Sequence, residues 1–105
     1  MMNSTIATRK YELNRTLEVL VVIEKAKPDQ NDYRCNYHIS GFAQPINGYA
    51  MGIDEVQALY LAMQKISIIL YSSDEYKEKQ LTWLGTFDLG LPYLESIRNL
   101  VEQHL

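Results

Sequence analysis

The stretch from Gly52 to Tyr71 constrains this chain more than any other. It reads Gly-Ile-Asp-Glu-Val-Gln-Ala-Leu-Tyr-Leu-Ala-Met-Gln-Lys-Ile-Ser-Ile-Ile-Leu-Tyr. The pattern predicts one helix with a marked start and little polar surface. Asp54 is placed to accept backbone N–H bonds from the first turn, and Gln57, three residues on, to reach back to the Asp54 N–H as a capping box. Past the first turn only Gln57, Gln64, Lys65 and Ser67 are polar. A surface helix keeps one face wet, so this helix is expected to be covered on more than one side, by the rest of the chain or by a second subunit. Val56, Leu59, Tyr60, Met63, Ile66 and Leu70 form its expected core stripe, with Ala58, Ala62 and Ile69 beside them. Leu61, Ile68 and Tyr71 mark a back face that needs a second cover.

Upstream, the alternation is that of strands. Thr5 to Leu13 reads as a polar strand near an edge, followed by a turn at Asn14-Arg15. In Leu17 to Ala26, Leu17, Val19, Val21 and Ile23 share one face, and Glu18, Leu20, Val22 and Glu24 the other. Pro28 to Asp32 has loop composition. In Tyr33 to Ser40, Tyr33, Cys35, Tyr37 and Ile39 point one way and Arg34, Asn36, His38 and Ser40 the other. A weaker strand over Pro45 to Met51 is interrupted by Asn47-Gly48, a turn signal. Downstream, Ser72 to Gln80 is a solvated loop or short helical turn. Leu81 to Pro92 is apolar but broken by Gly85 and Gly90. It is expected to lie across the back of the helix, with Trp83, Leu84, Phe87 and Leu89 as cover. Tyr93 to Leu105 is a short amphipathic helix presenting Leu94, Ile97, Val101 and Leu105.

The fold class these segments imply is α+β. An antiparallel sheet of three or four strands packs against a long, largely buried helix, with a short C-terminal helix, in a single domain spanning 1–105. With 105 residues of which 47% are hydrophobic, the chain has material for a core and is not of disordered composition. A formal net charge of −3 without a basic cluster disfavours nucleic-acid binding. A single cysteine excludes an internal disulfide. The first residues lack the apolar core of a signal peptide, and Gln57, Gln64 and Lys65 interrupt the best candidate for a membrane span. The expectation is a cytoplasmic protein without a membrane segment.

Three blocks carry a resemblance: Cys35-x-Tyr37-x-Ile39-x-Gly41, Gly52-x-Asp54-x-x-Gln57-Ala58-Leu59, and Leu81-Thr82-Trp83-Leu84-Gly85 followed by Asp88-Leu89-Gly90-x-Pro92. Over Arg34 to Pro92 the chain resembles a family of small bacterial proteins of unknown function. The resemblance implies no activity and carries over no catalytic residue. It suggests a setting among mobile or toxin–immunity genes.

The remaining chemistry is sparse. Cys35 and His38 have a metal-like spacing, but residues three apart on a strand face opposite ways; Cys35 reads as core. No catalytic carboxylate pair, nucleophile elbow or phosphate loop stands out, and no metal site or cofactor is expected. The open feature is the second sheet face. There Arg34, Asn36, His38 and Ser40 project beside Leu20 and Val22 if the two strands pair, a mixed surface suited to recognising another protein. The leading expectation is thus a non-enzymatic, immunity-like protein-binding module. The alternative is a small-molecule-binding domain or enzyme whose pocket between helix and sheet uses Gln57, Tyr60, Trp83 and Asp88. A homodimer through the surplus apolar surface of the helix is a further expectation.

Overall fold

The computed structural model describes residues 4–102, excluding the side chains of Leu100 and Glu102. The expectation placed on Leu105 lies outside these residues. Strand β1 (Thr5–Leu13) turns into β2 (Leu17–Glu24), then come β3 (Lys27–Asp29), β4 (Asp32–Ser40) and β5 (Ile46–Gly52). Helix α1 (Glu55–Tyr71), the short α2 (Asp74–Lys77), β6 (Leu81–Thr82), a 3-10 turn (Glu95–Ile97) and α3 (Arg98–Glu102) complete the order.

All pairings are antiparallel and join six strands into one sheet. β4 is its hub: β5 runs along one edge, and β2 and β3 follow each other along the opposite edge, with β1 outside β2 and β6 outside the end of β1. This corrects the expected sheet of three or four strands. The two additions are short. β3 contains Pro28, which reads as a breaker, yet proline is tolerated where a strand needs no donor toward a further neighbour. β6 is two residues long and pairs only with Glu12 and Leu13. The Asn47-Gly48 turn signal is also overridden: both residues lie within β5, opposite His38 and Tyr37.

The reading of α1 as a long, largely buried helix is overturned as well. The helix has 17 residues, and those buried are Ala58, Ala62, Ile66, Ser67, Leu70 and Tyr71. The expected stripe begins in solvent, with Val56 75% and Tyr60 49% exposed. The small side chains won because the opposing strand is small too. β5 offers the small Ala50 and Gly52 toward the helix, and a Cβ on Gly52 would sit 2.4 Å from the Ala58 nitrogen. Larger helix residues could not approach backbone at that distance, so the helix rolls its alanines inward. Asp54 caps α1 as expected, accepting from the Gln57 N–H at 2.8 Å. Gln57 reaches back to the Ile53 N–H at 2.7 Å, one residue earlier than a capping box requires.

The inner sheet face (Tyr11, Leu13, Val19, Val21, Ile23, Cys35, Tyr37, Ile39) joins the helix in one core. Two buried tyrosines anchor the segment after β6 to it: Tyr11 Oη donates to the Leu89 carbonyl at 2.9 Å, and the Leu89 N–H donates to Tyr71 Oη at 2.9 Å. Leu89 is buried and Trp83 and Phe87 are partly so, as cover, whereas Leu84 is 75% exposed. Tyr76 in α2 is buried against Tyr71, its centroid 4.9 Å away. The C-terminal helix is shorter than its sequence pattern; Val101 is buried, Ile97 half-buried and Leu94 exposed. Among the described residues no helix is long and apolar enough to cross a membrane.

Candidate functional site

The strand pairing brings the expected surface residues together. β2 and β4 pair with Leu20 opposite Ser40 and Val22 opposite His38. Because inward residues Val21, Ile23, Cys35, Tyr37 and Ile39 alternate with them, Leu20, Val22, Arg34, Asn36, His38 and Ser40 lie on one outer face. All are half-buried except Ser40, which is exposed. β5 extends the face with Asn47 opposite His38, Tyr49 opposite Asn36 and Met51 opposite Arg34.

Polar side chains on this face hold one another in place. His38 Nε2 lies 2.5 Å from Glu24 Oε2, and its Nδ1 lies 2.6 Å from Asn47 Oδ1. Ser4 Oγ donates to the other Glu24 oxygen at 3.1 Å. Both ring nitrogens thus face acceptors, an arrangement that favours the imidazolium. The hydrogen bond with Glu24 raises the His38 pKa, helped by Asn47 and opposed by partial burial. The same bond, with that from Ser4, lowers the Glu24 carboxyl against partial burial. With both nitrogens engaged, His38 has no free ring nitrogen to take a substrate proton.

Arg34 is fixed from three sides. Its Nε donates to Asn36 Oδ1 at 3.0 Å, its Nη1 lies 3.5 Å from Asp29 Oδ2, and its guanidinium stacks 3.6 Å from the centroid of Tyr49. Lys65 Nζ donates to the Tyr49 carbonyl at 2.9 Å. A shallow cleft of about 270 Å³ opens beside this cluster, lined by Asp29, Gln30, Asp32, Arg34, Tyr49 and Met51. Cys35 and His38 lie on opposite faces, and the thiol is fully buried, its pKa raised by that burial.

The chain belongs to the family described as Domain of unknown function (DUF6968). Its family model matches residues 7–93, from β1 past the end of the outer-face strands. No curated protein and no solved structure matches the chain. The family match covers the three blocks that carried the resemblance, and it assigns no activity to any residue.

Gln57, Tyr60, Trp83 and Asp88 are not gathered around one cavity. Gln57 and Tyr60 lie on α1, whose start abuts β5 at Gly52. Trp83 stacks on Arg9 of β1, 3.9 Å from guanidinium carbon to ring centroid, beyond β4 and β2 in the sheet. Asp88 turns back on its own segment, its Oδ1 accepting from the Gly90 N–H at 2.9 Å. A cleft of about 800 Å³ instead lies at the β1–β6 end, lined by residues that include Glu12, Arg15, Lys79, Thr82 and Phe87. Glu12 there is already occupied by the Gly85 and Leu84 N–H groups and the Thr82 hydroxyl, which lower its pKa.

Sequence reasoning missed Glu24, Asn47, Tyr49 and Asp29 as parts of the outer-face cluster. The signal for Glu24 was present in the Leu20-Val22-Glu24 alternation. The others depend on β3 and on the β4–β5 register, which turn-like composition concealed.

Proposed function

We propose that this chain is a non-enzymatic protein-binding module, of the kind that acts as an immunity-like inhibitor, and that its outer sheet face is the recognition surface. The supporting observation is the preorganised row on that face. Arg34 and His38 are each held by several partners, and His38 stands opposite the partly exposed Val22, with Leu20 the next residue of that face along β2. Held side chains lose little entropy on binding, and arginine and tyrosine over apolar neighbours are the composition of interface hot spots. A partner suited to this face presents an acidic group to Arg34 and an apolar side chain over Leu20 and Val22.

The reading is tested by affinity capture with the full chain from cells of its own source, followed by titration of the captured protein against Arg34→Glu and His38→Ala. A stoichiometric partner whose affinity falls about tenfold or more with Arg34→Glu supports it. A partner bound equally well by both variants, or no stoichiometric partner in repeated captures, overturns it.

A further inference from the structure

The structure assigns a second recognition element beside the outer face, where Thr8 stands opposite Val22 and Lys10 opposite Leu20: we propose that the free edge of β1 adds an extended, acidic segment of a partner protein as a further strand of the sheet. β6 pairs with β1 only at Glu12 and Leu13, so the edge from Ile6 to Lys10 carries no ladder partner among the described residues. The Asn14 N–H donates to the Gln80 carbonyl at 2.8 Å, toward β6. Main-chain groups alternate sides along a strand, so those of Lys10 and Thr8 face the same open side, while Arg9 and Tyr11 bond toward β2. Thr8 and Lys10 are exposed. An open edge of this kind is a template for strand addition, and proteins commonly blunt it. The opposite edge of the sheet is partly blunted, because Lys65 Nζ occupies the Tyr49 carbonyl of β5. Among the described residues the β1 edge, though it carries Lys10 and the bulge at Ile6, has neither a proline nor such a plug between Thr8 and Lys10.

A side-chain anchor lies next to it. The pairing of β1 with β2 skips a residue between Thr5 and Ala7, leaving Ile6 as the bulged position. A bulge re-aims its side chain, and Ile6 here lines an apolar cleft of about 200 Å³ with Ala26, Val56 and Leu59, bordered by Lys25 and Glu55. Ile6 is 50% and Val56 75% exposed. Main-chain bonds along Thr8 and Lys10 with one apolar side chain in this cleft make up a strand-addition site.

Charge selects the occupant. The charges on β1 between Ile6 and Tyr11 are Arg9 and Lys10, and the cleft is bordered by Lys25 as well as Glu55, on a chain whose net charge is −3. Arg9 is committed to the Leu89 and Gly90 carbonyls, at 3.1 and 2.8 Å. Lys10 and Lys25 are left to meet acidic residues flanking the apolar anchor. A second copy of this chain would instead crowd the cations of two β1 strands into one patch.

The test selects binders to the full chain from a displayed library of random short segments, then remakes the best as synthetic peptides N-methylated at alternate residues. Strand addition requires that one phase of N-methylation weaken binding by about tenfold or more while the other phase leaves it nearly unchanged. It also requires that Thr8→Pro, which removes an outward N–H at an edge where proline is tolerated, weaken binding comparably with an unchanged thermal melt. Bound peptide should slow hydrogen exchange at the Thr8 and Lys10 amides. Arg34→Glu should leave the peptide affinity intact, which separates this site from the outer face. No saturable segment, indifference to the phase of N-methylation, loss of binding with Arg34→Glu, or a dimer of the chain itself that Thr8→Pro dissociates would each overturn the proposal. Should Thr8→Pro fail to fold, the peptide arms decide alone.

Discussion

His38 Nε2 and Glu24 Oε2 approach within 2.5 Å across the outer face of the sheet, joining two adjacent strands. Folding therefore favours imidazolium and carboxylate together. The raised His38 pKa gives stability that is complete below the unfolded histidine value, about 6.5, and is lost as pH rises through the folded value. The lowered Glu24 pKa gives stability present above about 4.3 and lost as pH falls through its folded value. The pair is thus worth most between those limits. The His38 side chain is 42% exposed, so solvent screening holds the contribution to less than about 1 kcal/mol. Denaturant titrations of wild type and His38→Gln should differ most near about pH 5.5, and the difference should shrink as pH rises through the folded histidine value. A difference that grows as pH rises would contradict the assignment.

Leu89 is gripped at both backbone groups by hydroxyls from different elements, but the two grips are unequal. Its N–H has Tyr71 Oη as acceptor, whereas its carbonyl receives both Tyr11 Oη and Arg9 Nη1, at 2.9 and 3.1 Å. Tyr71→Phe leaves a buried donor without a partner and should cost about 1–3 kcal/mol. Tyr11→Phe leaves the carbonyl one donor and should cost nearer 1 kcal/mol. Burial pushes Tyr11 up to about 12, so absorbance titration should show it silent through the range where exposed tyrosines ionise. Equal losses in the two variants, measured by chemical denaturation, would show that the Leu89 N–H finds another acceptor.

The division between what the sequence revealed and what it hid has a physical pattern. The period-two alternation of Leu17–Ala26 and Tyr33–Ser40 placed Leu20, Val22, Arg34, Asn36, His38 and Ser40 on a common face, because pleating alone determines that. Asp54 was legible as a cap because it acts within three positions of itself. The helix face was misread because hydrophobicity ranks Val56 and Tyr60 above Ala58 and Ala62. What decides the buried side is how close β5 allows the helix to come, and that is a property of Ala50 and Gly52 on another element. β3 and β6 were hidden for the related reason that short strands are made by their neighbours: Lys27–Asp29 and Leu81–Thr82 are ordered by the longer partners β4 and β1. The hydrogen-bonded cluster on the outer face was half legible, since His38 and Arg34 were visible but their partners Asn47, Tyr49 and Asp29 arrive through register.

Gly52 carries the close approach just described. An added Cβ would meet the Ala58 nitrogen at 2.4 Å and its Cα at 2.8 Å, both main-chain atoms. Backbone inside a helix cannot swing aside as a side chain can, so Gly52→Ala must push α1 off β5. Overpacking of this sort costs about 1–3 kcal/mol or more. Differential scanning calorimetry should show a clear loss in melting temperature for Gly52→Ala. Gly85→Ala supplies the contrast: its added Cβ meets nothing within 4 Å, and any loss comes from the positive φ of 79° alone. A Gly52→Ala variant as stable as wild type would mean that the helix is held less tightly to β5 than the structure shows.

Ser67 is the converse case, a position where the native residue works against stability. It is fully buried in α1, and its Oγ has no hydrogen-bond partner. A buried hydroxyl without a partner has lost its water and gained nothing in return, and serine is a poorer helix former than alanine. Ser67→Ala removes one oxygen, leaving a void too small to offset those gains. The variant should be more stable by about 0.5–1 kcal/mol, read as a higher denaturation midpoint at unchanged slope. A loss of stability would locate an acceptor for that hydroxyl in solution, the carbonyl one turn back along the helix being the geometrically available candidate. In that case the serine would bend or brace α1 where it meets Tyr71 and Leu89, rather than sit in the core at a cost.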